Sequence, residues 1–359
     1  MSNNKNIILF QFLGPNNQFF NELGPDNRNE FIQVLKKDLI SKGFSPQCLK
    51  KQNLKDVYAI LFFDLSSVYP IYGNFLKKIK FKIFNLFRSE TSSRNLFKEE
   101  KFLKIKVKKF LIAFEPKIIC PDNFDSKYAK LFDKTFSWSD NCCGGKSKNI
   151  KINLPIPQNN FNDIKSDKFF KKKLLLTISS NKGSYAKGSL CEIKYQGYQE
   201  LSNILGKQFD LYGYMWDQSF ISWFKKYIRG TKSKYFYKLP PYYKGQVINK
   251  DLIISNYRFC LVIENMRDFS FITEKIFHPI ISGCVPIYLG APDIEKYIPS
   301  DCFINLGDYK DWNQLCKFIE NFDKNDYHKF LLSREKFLKS NQFYNFTSES
   351  FSKAIINNI

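Results

Sequence analysis

The sequence predicts an α/β protein with parallel, doubly wound sheets. Short apolar runs alternate with stretches of helical periodicity along the chain, a pattern typical of strands connected by helices. At 359 residues the chain is long enough to bury two sizeable cores. The polar, proline-containing stretch INLPIPQNN, residues 152–160, interrupts the alternation, which then starts again. We therefore expect two α/β domains.

The first half of the chain contains strand-like runs around one amphipathic helix. We predict strands at Asn6 to Phe10, at Val57 to Phe63, and in the runs FLIAFEP and KTFSW. Residues 28–43, RNEFIQVLKKDLISKG, have the spacing of an amphipathic helix. The order of these elements indicates a parallel sheet in this half.

The second half repeats the pattern. KLLLTI is a predicted strand, Ser189 to Leu205 a helix closed by Gly206, and FDLYG the next strand. We place an N-terminal domain at residues 1–158, a C-terminal domain at 159–325 and a helical segment at 326–359.

The composition narrows the class of protein. A net charge of +22 favours nucleic acid, anionic membrane surfaces or anionic substrates as partners, although no recognised nucleic-acid module occurs and the basic residues are spread along the chain. No apolar run reaches the roughly 20 residues of a membrane helix, and the N-terminus has no convincing signal peptide. We expect a cytoplasmic protein whose nine cysteines are reduced thiols.

A lysine-rich segment runs from Asn74 to Phe110 and includes KKIKFKIF. Alternation of charged and apolar residues fits a half-buried strand or an interfacial segment that touches lipid, and the solvated strand is the favoured interpretation. The basic, aromatic residues here and in the C-terminal tail predict peripheral contact with anionic membranes.

Several motifs of common enzyme classes are missing. GGKS is not a P-loop because Asp140 occupies the position of the required glycine, and no G-x-G-x-x-G occurs. Cys142 and Cys143 lack a second spaced pair, so they do not indicate a zinc site. The two histidines, His278 and His328, lie in apolar helical patterns and give little support to histidine acid/base chemistry.

The stretch FITEKIF places a charged pair at the start of an apolar helix. Thr273 is a good N-cap, and Glu274 suits the first turn. Lys275 is mildly unfavourable there, because the N-terminus of a helix already carries positive partial charge. Either the lysine is solvated or it serves an anionic ligand, which a helix N-terminus is also suited to bind.

Neighbouring elements favour the ligand. YRFCLVIEN reads as a strand that ends at Glu264 and Asn265, and VPIYLG is a second strand after the helix. In such βαβ units ligands bind at the carboxyl ends of the strands. Glu264, Asn265, Glu274, Lys275 and Gly290 are therefore predicted at one edge of the sheet.

Glu115 occupies the comparable position in the first half, at the end of FLIAFE and before Pro116. A carboxylate at this edge suits a general base, whereas a surface or capping role is the equal alternative. No Asp-x-Asp pair exists in the sequence. A bound diphosphate would therefore be neutralised by lysines, arginines and backbone N–H groups, without a required metal.

YRFCLVIEN, FITEKIFHPIISGCVPIYLGAP, IEKYIP and FINL resemble, in order and spacing, the C-terminal signature of the α1,3/α1,4-fucosyltransferases, glycosyltransferase family ten. The strong resemblance covers Tyr257 to about Tyr309, with weaker similarity in ISSN…FDLYG and FEP…FDKTFSW. It implies the GT-B fold, in which two Rossmann-like domains face each other across a cleft.

The resemblance also implies roles for individual residues. Glu274 is expected to bind the ribose of GDP-fucose and Lys275 its phosphates, with Asn265, next to Glu264, in the same donor site. Phe271 stands where the family usually has a tyrosine, so the hydroxyl is absent. Lys194 replaces a phosphate-binding arginine, which keeps the charge and loses bidentate geometry.

The implied activity is inverting transfer of L-fucose from GDP-fucose to a hydroxyl of a glycan acceptor, of the α1,3 type. Glu115 falls at the catalytic carboxylate of the acceptor-side domain. The departures at Phe271 and Lys194 leave a different nucleotide sugar as an alternative. A non-catalytic, basic RNA- or membrane-binding protein on the same fold is the alternative from another class.

Overall fold

The computed structural model describes residues 5–12, 16–48, 56–65, 106–143, 145–157, 166–181, 188–216 and 240–359. The chain forms two compact units: the first combines Met1–Pro157 with Thr347–Ile359, and the second is Gln158–Phe346. Most of the lysine-rich segment predicted from Asn74 lies outside the described residues.

The first unit is built on a parallel sheet with the strand order β2-β1-β3-β4-β5-β6. Its strands are β1 Ile7–Gln11, β2 Ser45–Cys48, β3 Val57–Phe63, β4 Lys108–Ala113, β5 Lys134–Ser137 and β6 Asn149–Lys151. Its α-helices are Asn16–Asn21, Glu30–Ser41, Gly145–Lys148 and Ser348–Ile356, with 3-10 turns at Pro25–Asn27, Pro121–Phe124 and Ser126–Leu131. The central strands are apolar on both faces because both faces are covered.

Part of the core of this unit comes from the end of the chain. The helix Glu30–Ser41 buries Ile32, Leu35 and Leu39 on one face, as its amphipathic pattern predicts. The C-terminal helix Ser348–Ile356 packs on it: the rings of Phe31 and Phe351 are 5.3 Å apart. The segment predicted as helical at 326–359 is thus divided between the two units.

The second unit is built on a parallel sheet with the order β11-β10-β9-β7-β8. Its strands are β7 Lys173–Ile178, β8 Phe209–Tyr212, β9 Tyr257–Ile263, β10 Val285–Leu289 and β11 Ile304–Asn305. Its α-helices are Cys191–Leu205, Lys250–Ile254, Glu274–Ser282, Trp312–Asn321, Lys324–Leu338 and Asn341–Tyr344. Short 3-10 turns lie at Ser166–Lys171, Gly206–Gln208, Ile294–Lys296, Ser300–Cys302 and Leu306–Asp308.

Two helices of the second unit approach closely through a glycine. A Cβ on Gly197 would lie 2.4 Å from Cζ2 of Trp312, so a larger residue would separate the helices Cys191–Leu205 and Trp312–Asn321. The Trp312 ring packs against the core cluster that contains Leu201 and Leu315. This contact fixes the helix that carries Lys194 against its neighbour.

The predicted fold class is confirmed, since the chain forms two units that each combine a parallel sheet with helices. The predicted central strands and the two long helices are present, whereas β2, β6 and β11 were not predicted. These three strands have four, three and two residues and lie at sheet edges, where a short polar run leaves no hydrophobic pattern.

The nine cysteines are buried, and none of them forms a disulfide in the structure. Burial raises the pKa of Cys260 to about 12, so this thiol is unreactive. Among the helices that the structure describes, none combines the length and the apolar character needed to cross a membrane.

Candidate functional site

The carboxyl edge of the second sheet brings together most of the predicted site residues. Strands β9 and β10 are paired in parallel register from Phe259–Val285 to Ile263–Leu289, so both end at the same level. The residues that follow them, Glu264 and Gly290, are therefore neighbours. A Cβ on Gly290 would lie 2.7 Å from Cγ of Glu264, which explains the glycine in YLGAP.

Glu264 organises this edge from a fully buried position. Its Oε1 accepts hydrogen bonds from the backbone N–H of Thr273, at 3.0 Å, and from the Thr273 hydroxyl, at 2.7 Å. Its Oε2 accepts from Nζ of Lys275 at 2.8 Å. The predicted donor-site residue Glu264 thus supports the start of the next helix and the lysine on it.

The helix Glu274–Ser282 begins and ends where its sequence predicts. The side chain of Thr273 accepts from the N–H of Lys275, and Gly283 is the left-handed C-cap with φ 66°. The guanidinium of Arg334 donates to the carbonyls of Ile280 and Ile281, both at 2.6 Å, where the negative end of the helix dipole lies. Both ends of this short helix are therefore held.

Glu264 forms an ion pair with Lys275. This pair compensates for the unfavourable position of the lysine at the positive end of the helix dipole. The pair spans eleven residues in sequence and was not predicted, because the carboxylate lies across the loop between the strand and the helix. The side chain of Lys275 is 29% exposed while that of Glu264 is inaccessible. The Lys275 side chain is thus held by Glu264 and remains partly exposed.

Lys194 lies on the helix Cys191–Leu205 and is 6% exposed. Its Nζ donates to Oδ1 of Asn265 at 3.0 Å. Burial, and secondly the positive charge of Lys275, lower the pKa of Lys194 to about 7. The structure therefore brings Lys194, Asn265 and Lys275 together at one edge, as predicted, and gives one lysine an unusually low affinity for protons.

Backbone pairing fixes the position of Lys194. Leu190 N–H donates to the carbonyl of Asn265 at 3.1 Å, and Arg267 N–H to that of Gly188 at 2.9 Å. Gly188 has φ 86°, a conformation that glycine adopts without strain. The loop after β9 thus anchors the start of the helix that carries Lys194.

The other two predicted donor-site residues have different environments. Burial alone would raise the pKa of Glu274, but the charges of Lys250 and Lys275 outweigh it and hold this pKa below the usual value. Glu274 is therefore an anionic acceptor suited to hydroxyl groups. Phe271 is only 2% exposed, so its ring contributes packing at the base of the loop.

The loop before the helix contains a polar clamp that sequence analysis missed. Ser270 has φ 62°, which is rare for a residue with a side chain. Its N–H and hydroxyl donate to the two oxygens of Asp293, at 2.7 and 3.2 Å, and the Tyr297 hydroxyl donates to its Oγ at 2.7 Å. Because Asp293 is 23 residues from Ser270 in sequence, no short motif could have predicted this pair of hydrogen bonds.

Glu115 is described within the first unit, at the carboxyl edge of that sheet. It lies two residues past β4 and is half-buried. Its backbone N–H donates to Oδ1 of Asp64, at 2.9 Å, and Asp64 directly follows the adjacent strand β3. The predicted position of Glu115 at the strand ends is present, together with a second carboxylate that was not predicted.

Among the residues that the structure describes, no three His, Cys, Asp or Glu side chains are grouped to hold a metal ion. Lys194 and Lys275 are two charged groups at the second edge that could receive an anionic ligand.

The sequence model of glycosyltransferase family 10 (fucosyltransferase), C-terminal part, matches residues 170–355, more than half of the chain. Human 4-galactosyl-N-acetylglucosaminide 3-alpha-L-fucosyltransferase 9 is 39% identical over 87 residues, 23% of this chain and 24% of the relative. GDP-fucose protein O-fucosyltransferase 3 of Xenopus tropicalis is 39% identical over 75 residues, 21% of this chain and 16% of the relative. The matched segments thus span less than a quarter of these relatives.

Solved structures align over nearly the whole chain. The crystal structure of an alpha1,3-fucosyltransferase with GDP has a TM-score of 0.52 at 15% identity and covers 98% of this chain and 91% of its own. That of Anabaena HepE with UDP and glucose has a TM-score of 0.53 at 8% identity and covers 98% of both. At these identities the likeness concerns the fold, and it confirms the GT-B class. Together with the family match, it shows that the chain belongs to glycosyltransferase family 10, the fucosyltransferases.

Proposed function

We propose that this chain transfers L-fucose from GDP-fucose to a hydroxyl of a glycan acceptor with inversion at the anomeric carbon, in an α1,3-type reaction. The observation that carries the proposal is the pair Lys194 and Lys275, gathered with Asn265 at one strand edge. These residues lie inside the region matched by the family model. A diphosphate is the part of a nucleotide sugar that two such cations suit.

The donor site follows from the contacts. The side chain of Lys275 is partly exposed and its ammonium is oriented by Glu264, which prepares it to contact a phosphate oxygen. Lys194 supplies a second charge when protonated. Glu274 is held anionic and accepts hydrogen bonds from ribose hydroxyls. As the bond between fucose and diphosphate breaks, the lysines stabilise the charge that grows on the leaving group.

The acceptor hydroxyl must lose a proton as its oxygen attacks the anomeric carbon from the face opposite GDP. We assign this proton to the carboxylate of Glu115, at the strand edge of the first unit. The bond from the acceptor oxygen to the anomeric carbon forms, the bond from that carbon to the diphosphate breaks, and the proton moves to Glu115.

We also propose that the reaction needs no divalent metal, because lysines and helix N–H groups neutralise the diphosphate. Activity should persist after exhaustive treatment with a chelator. If the chelator abolished activity and added metal restored it, the proposal that lysines and N–H groups neutralise the diphosphate would be contradicted.

A different nucleotide sugar is the second candidate donor, and Phe271 favours it. Its ring is buried and lacks the hydroxyl that the family resemblance leads one to expect. The first experiment is therefore a panel: the full chain is mixed with GDP-fucose, GDP-mannose, UDP-glucose and UDP-galactose, and thermal unfolding and sugar release are recorded. GDP-fucose should raise the unfolding temperature most and be the sugar released. Stronger stabilisation and turnover with a UDP-sugar would replace the proposed donor, and no response to any would favour a binding protein.

A further inference from the structure

The backbone around Glu115 is held by side chains on both sides. Asp64 Oδ1 accepts from the N–H of Phe114 at 2.7 Å and from that of Glu115 at 2.9 Å. Nδ2 of Asn123 donates to the carbonyl of Glu115 at 3.2 Å, and Nε1 of Trp138 donates to that of Phe114 at 2.9 Å. The two peptide groups before Glu115 and the one after it are therefore fixed by residues distant in sequence.

Asp64 and Asn123 also hold each other. Nδ2 of Asn123 donates to Asp64 Oδ1 at 2.7 Å, while its Oδ1 accepts from the N–H of Leu65 at 2.8 Å. Asn123 is fully buried, so water does not compete for these bonds. The result is a closed network of two side chains and three backbone N–H groups.

The conformation of Asp64 indicates that its position is specific. Its φ is 61°, in the left-handed region, which costs about 1 kcal/mol or more for most residues with a side chain. The carboxylate is half-buried, and burial raises its pKa to about 6 in spite of the three hydrogen bonds that favour the anion. Asp64 thus combines a left-handed backbone conformation with a partly desolvated charge at the end of the strand next to Glu115.

We propose that Asp64, with Asn123, is a positioning residue that fixes the backbone of Glu115 and thereby aims its carboxylate. The proposal rests on the proposed function, because the hydrogen bonds from Asp64 and Asn123 affect catalysis only if Glu115 accepts the proton. Displacing a base by an ångström lowers a rate by up to about 100-fold, so loss of the Asp64 hydrogen bonds should affect turnover more than donor binding.

Two substitutions separate the hydrogen bonds from the charge. Asp64→Gly removes the carboxylate, and glycine adopts φ 61° freely, so the backbone is not strained further. Asp64→Asn keeps an acceptor oxygen and also tolerates the left-handed conformation. We expect Asp64→Gly to lower the transfer rate at saturating substrates by about 10- to 100-fold and Asp64→Asn by no more than about threefold. The affinity for GDP should be unchanged in both.

A matched control exists at the other end of the same strand. Asp133 Oδ2 accepts from the N–H of Lys109 at 2.7 Å, the same kind of bond to β4 at its amino end. Asp133→Ala should leave the transfer rate unchanged. If Asp64→Gly does not fold, Trp138→Phe removes the bond to the Phe114 carbonyl and keeps a buried ring. It should lower the rate by roughly 3- to 10-fold, again without weakening GDP binding.

The decisive measurement combines the substitutions with Glu115→Gln. If Asp64 acts through the Glu115 carboxylate, adding Asp64→Gly to the wild type lowers the rate, whereas adding it to the Glu115→Gln variant causes no further loss. An equal loss in both backgrounds, or a normal rate in Asp64→Gly, overturns the proposal. A loss in Asp64→Asn as large as that in Glu115→Gln also overturns it, because Asp64 would then be the proton acceptor. A normal rate in the Glu115→Gln single variant would contradict the proposed general base, so failure of the proposed function can be distinguished from failure of the positioning role of Asp64.

Discussion

The carboxyl edges of the two sheets have the same architecture and opposite chemistry. In the first unit, a carboxylate follows each of two adjacent strands, and the donors to Asp64 Oδ1 are neutral N–H groups. In the second unit, the buried carboxylate of Glu264 holds the ammonium of Lys275, and Lys194 lies nearby. The residues after the strand ends, rather than the fold, decide what each edge can bind.

The difference concerns how charge is stabilised. Burial raises the pKa of Asp64 to about 6, and its three hydrogen bonds from neutral N–H groups offset this shift only in part. In the second unit, the buried carboxylate of Glu264 pairs with Lys275, whereas burial and the charge of Lys275 lower the pKa of Lys194. We propose that the first edge takes up a proton and that the second binds an anionic ligand.

Glu115→Gln should have the largest effect, because it removes the proposed proton acceptor while it preserves size and most hydrogen bonding. We expect transfer to fall about 10²- to 10⁴-fold, the usual contribution of a positioned base. Calorimetric affinity for GDP-fucose should barely change. A rate within a few-fold of the wild type, or donor affinity that falls in parallel, would remove Glu115 from the mechanism.

Lys275→Ala tests the cationic edge and should have the next largest effect. Loss of one preorganised charge should cost about 2 to 4 kcal/mol of transition-state stabilisation, or roughly 30- to 1000-fold in kcat/KM. Lys339→Ala is the control, since Lys339 is an exposed lysine paired with Glu335 on the surface. Near-normal kinetics of a well-folded Lys275→Ala variant would contradict the donor-site assignment.

The raised pKa of Asp64 predicts that its charge destabilises the protein near neutral pH. The folded pKa is about 6 and the ordinary value 3.8, so the folded state binds more protons between these values and stability falls as pH rises through them. Asp64→Asn should therefore increase the free energy of unfolding at pH 7, by up to about 3 kcal/mol, and change it little at pH 3. Denaturant unfolding at both pH values measures this. Equal stability of Asp64→Asn and the wild type at pH 7 would contradict the raised pKa of Asp64.

The smallest predicted effect concerns Lys194: binding of the donor should cause an uptake of less than one proton per molecule bound. With a pKa of about 7, Lys194 is largely neutral at pH 8, and a diphosphate beside it favours the charged form. Binding of GDP-fucose should therefore take up a proton at pH 8 and almost none at pH 6, and affinity should fall as pH rises above 7.

Calorimetry in buffers of different ionisation enthalpy measures this proton directly. Lys194→Arg is the control, because arginine remains charged throughout this range and should abolish the uptake. Binding enthalpies that are independent of the buffer at pH 8 would show that Lys194 does not contact the diphosphate.

Local signals in the sequence predicted much of the fold. The central strands are continuous apolar runs, and Thr273 and Gly283 mark the ends of one helix by capping chemistry that acts within a few residues. Asp64 bonds to Glu115 across 51 residues, and Lys194 bonds to Asn265 across 71. Such pairs depend on strand order, which a single sequence does not specify, so only the resemblance to a family placed Lys194 and Lys275 together.

The final helix, Ser348–Ile356, has a consequence for biosynthesis. It contributes Phe351 and Ile355 to the core of the first unit, yet the ribosome makes it after the entire second unit. The amino-terminal sheet emerges first and completes its hydrophobic core last, so the nascent chain must carry an unfinished surface while the later sheet folds. We expect chains that end before Ser348 to keep a protease-resistant second unit and an easily cleaved first one.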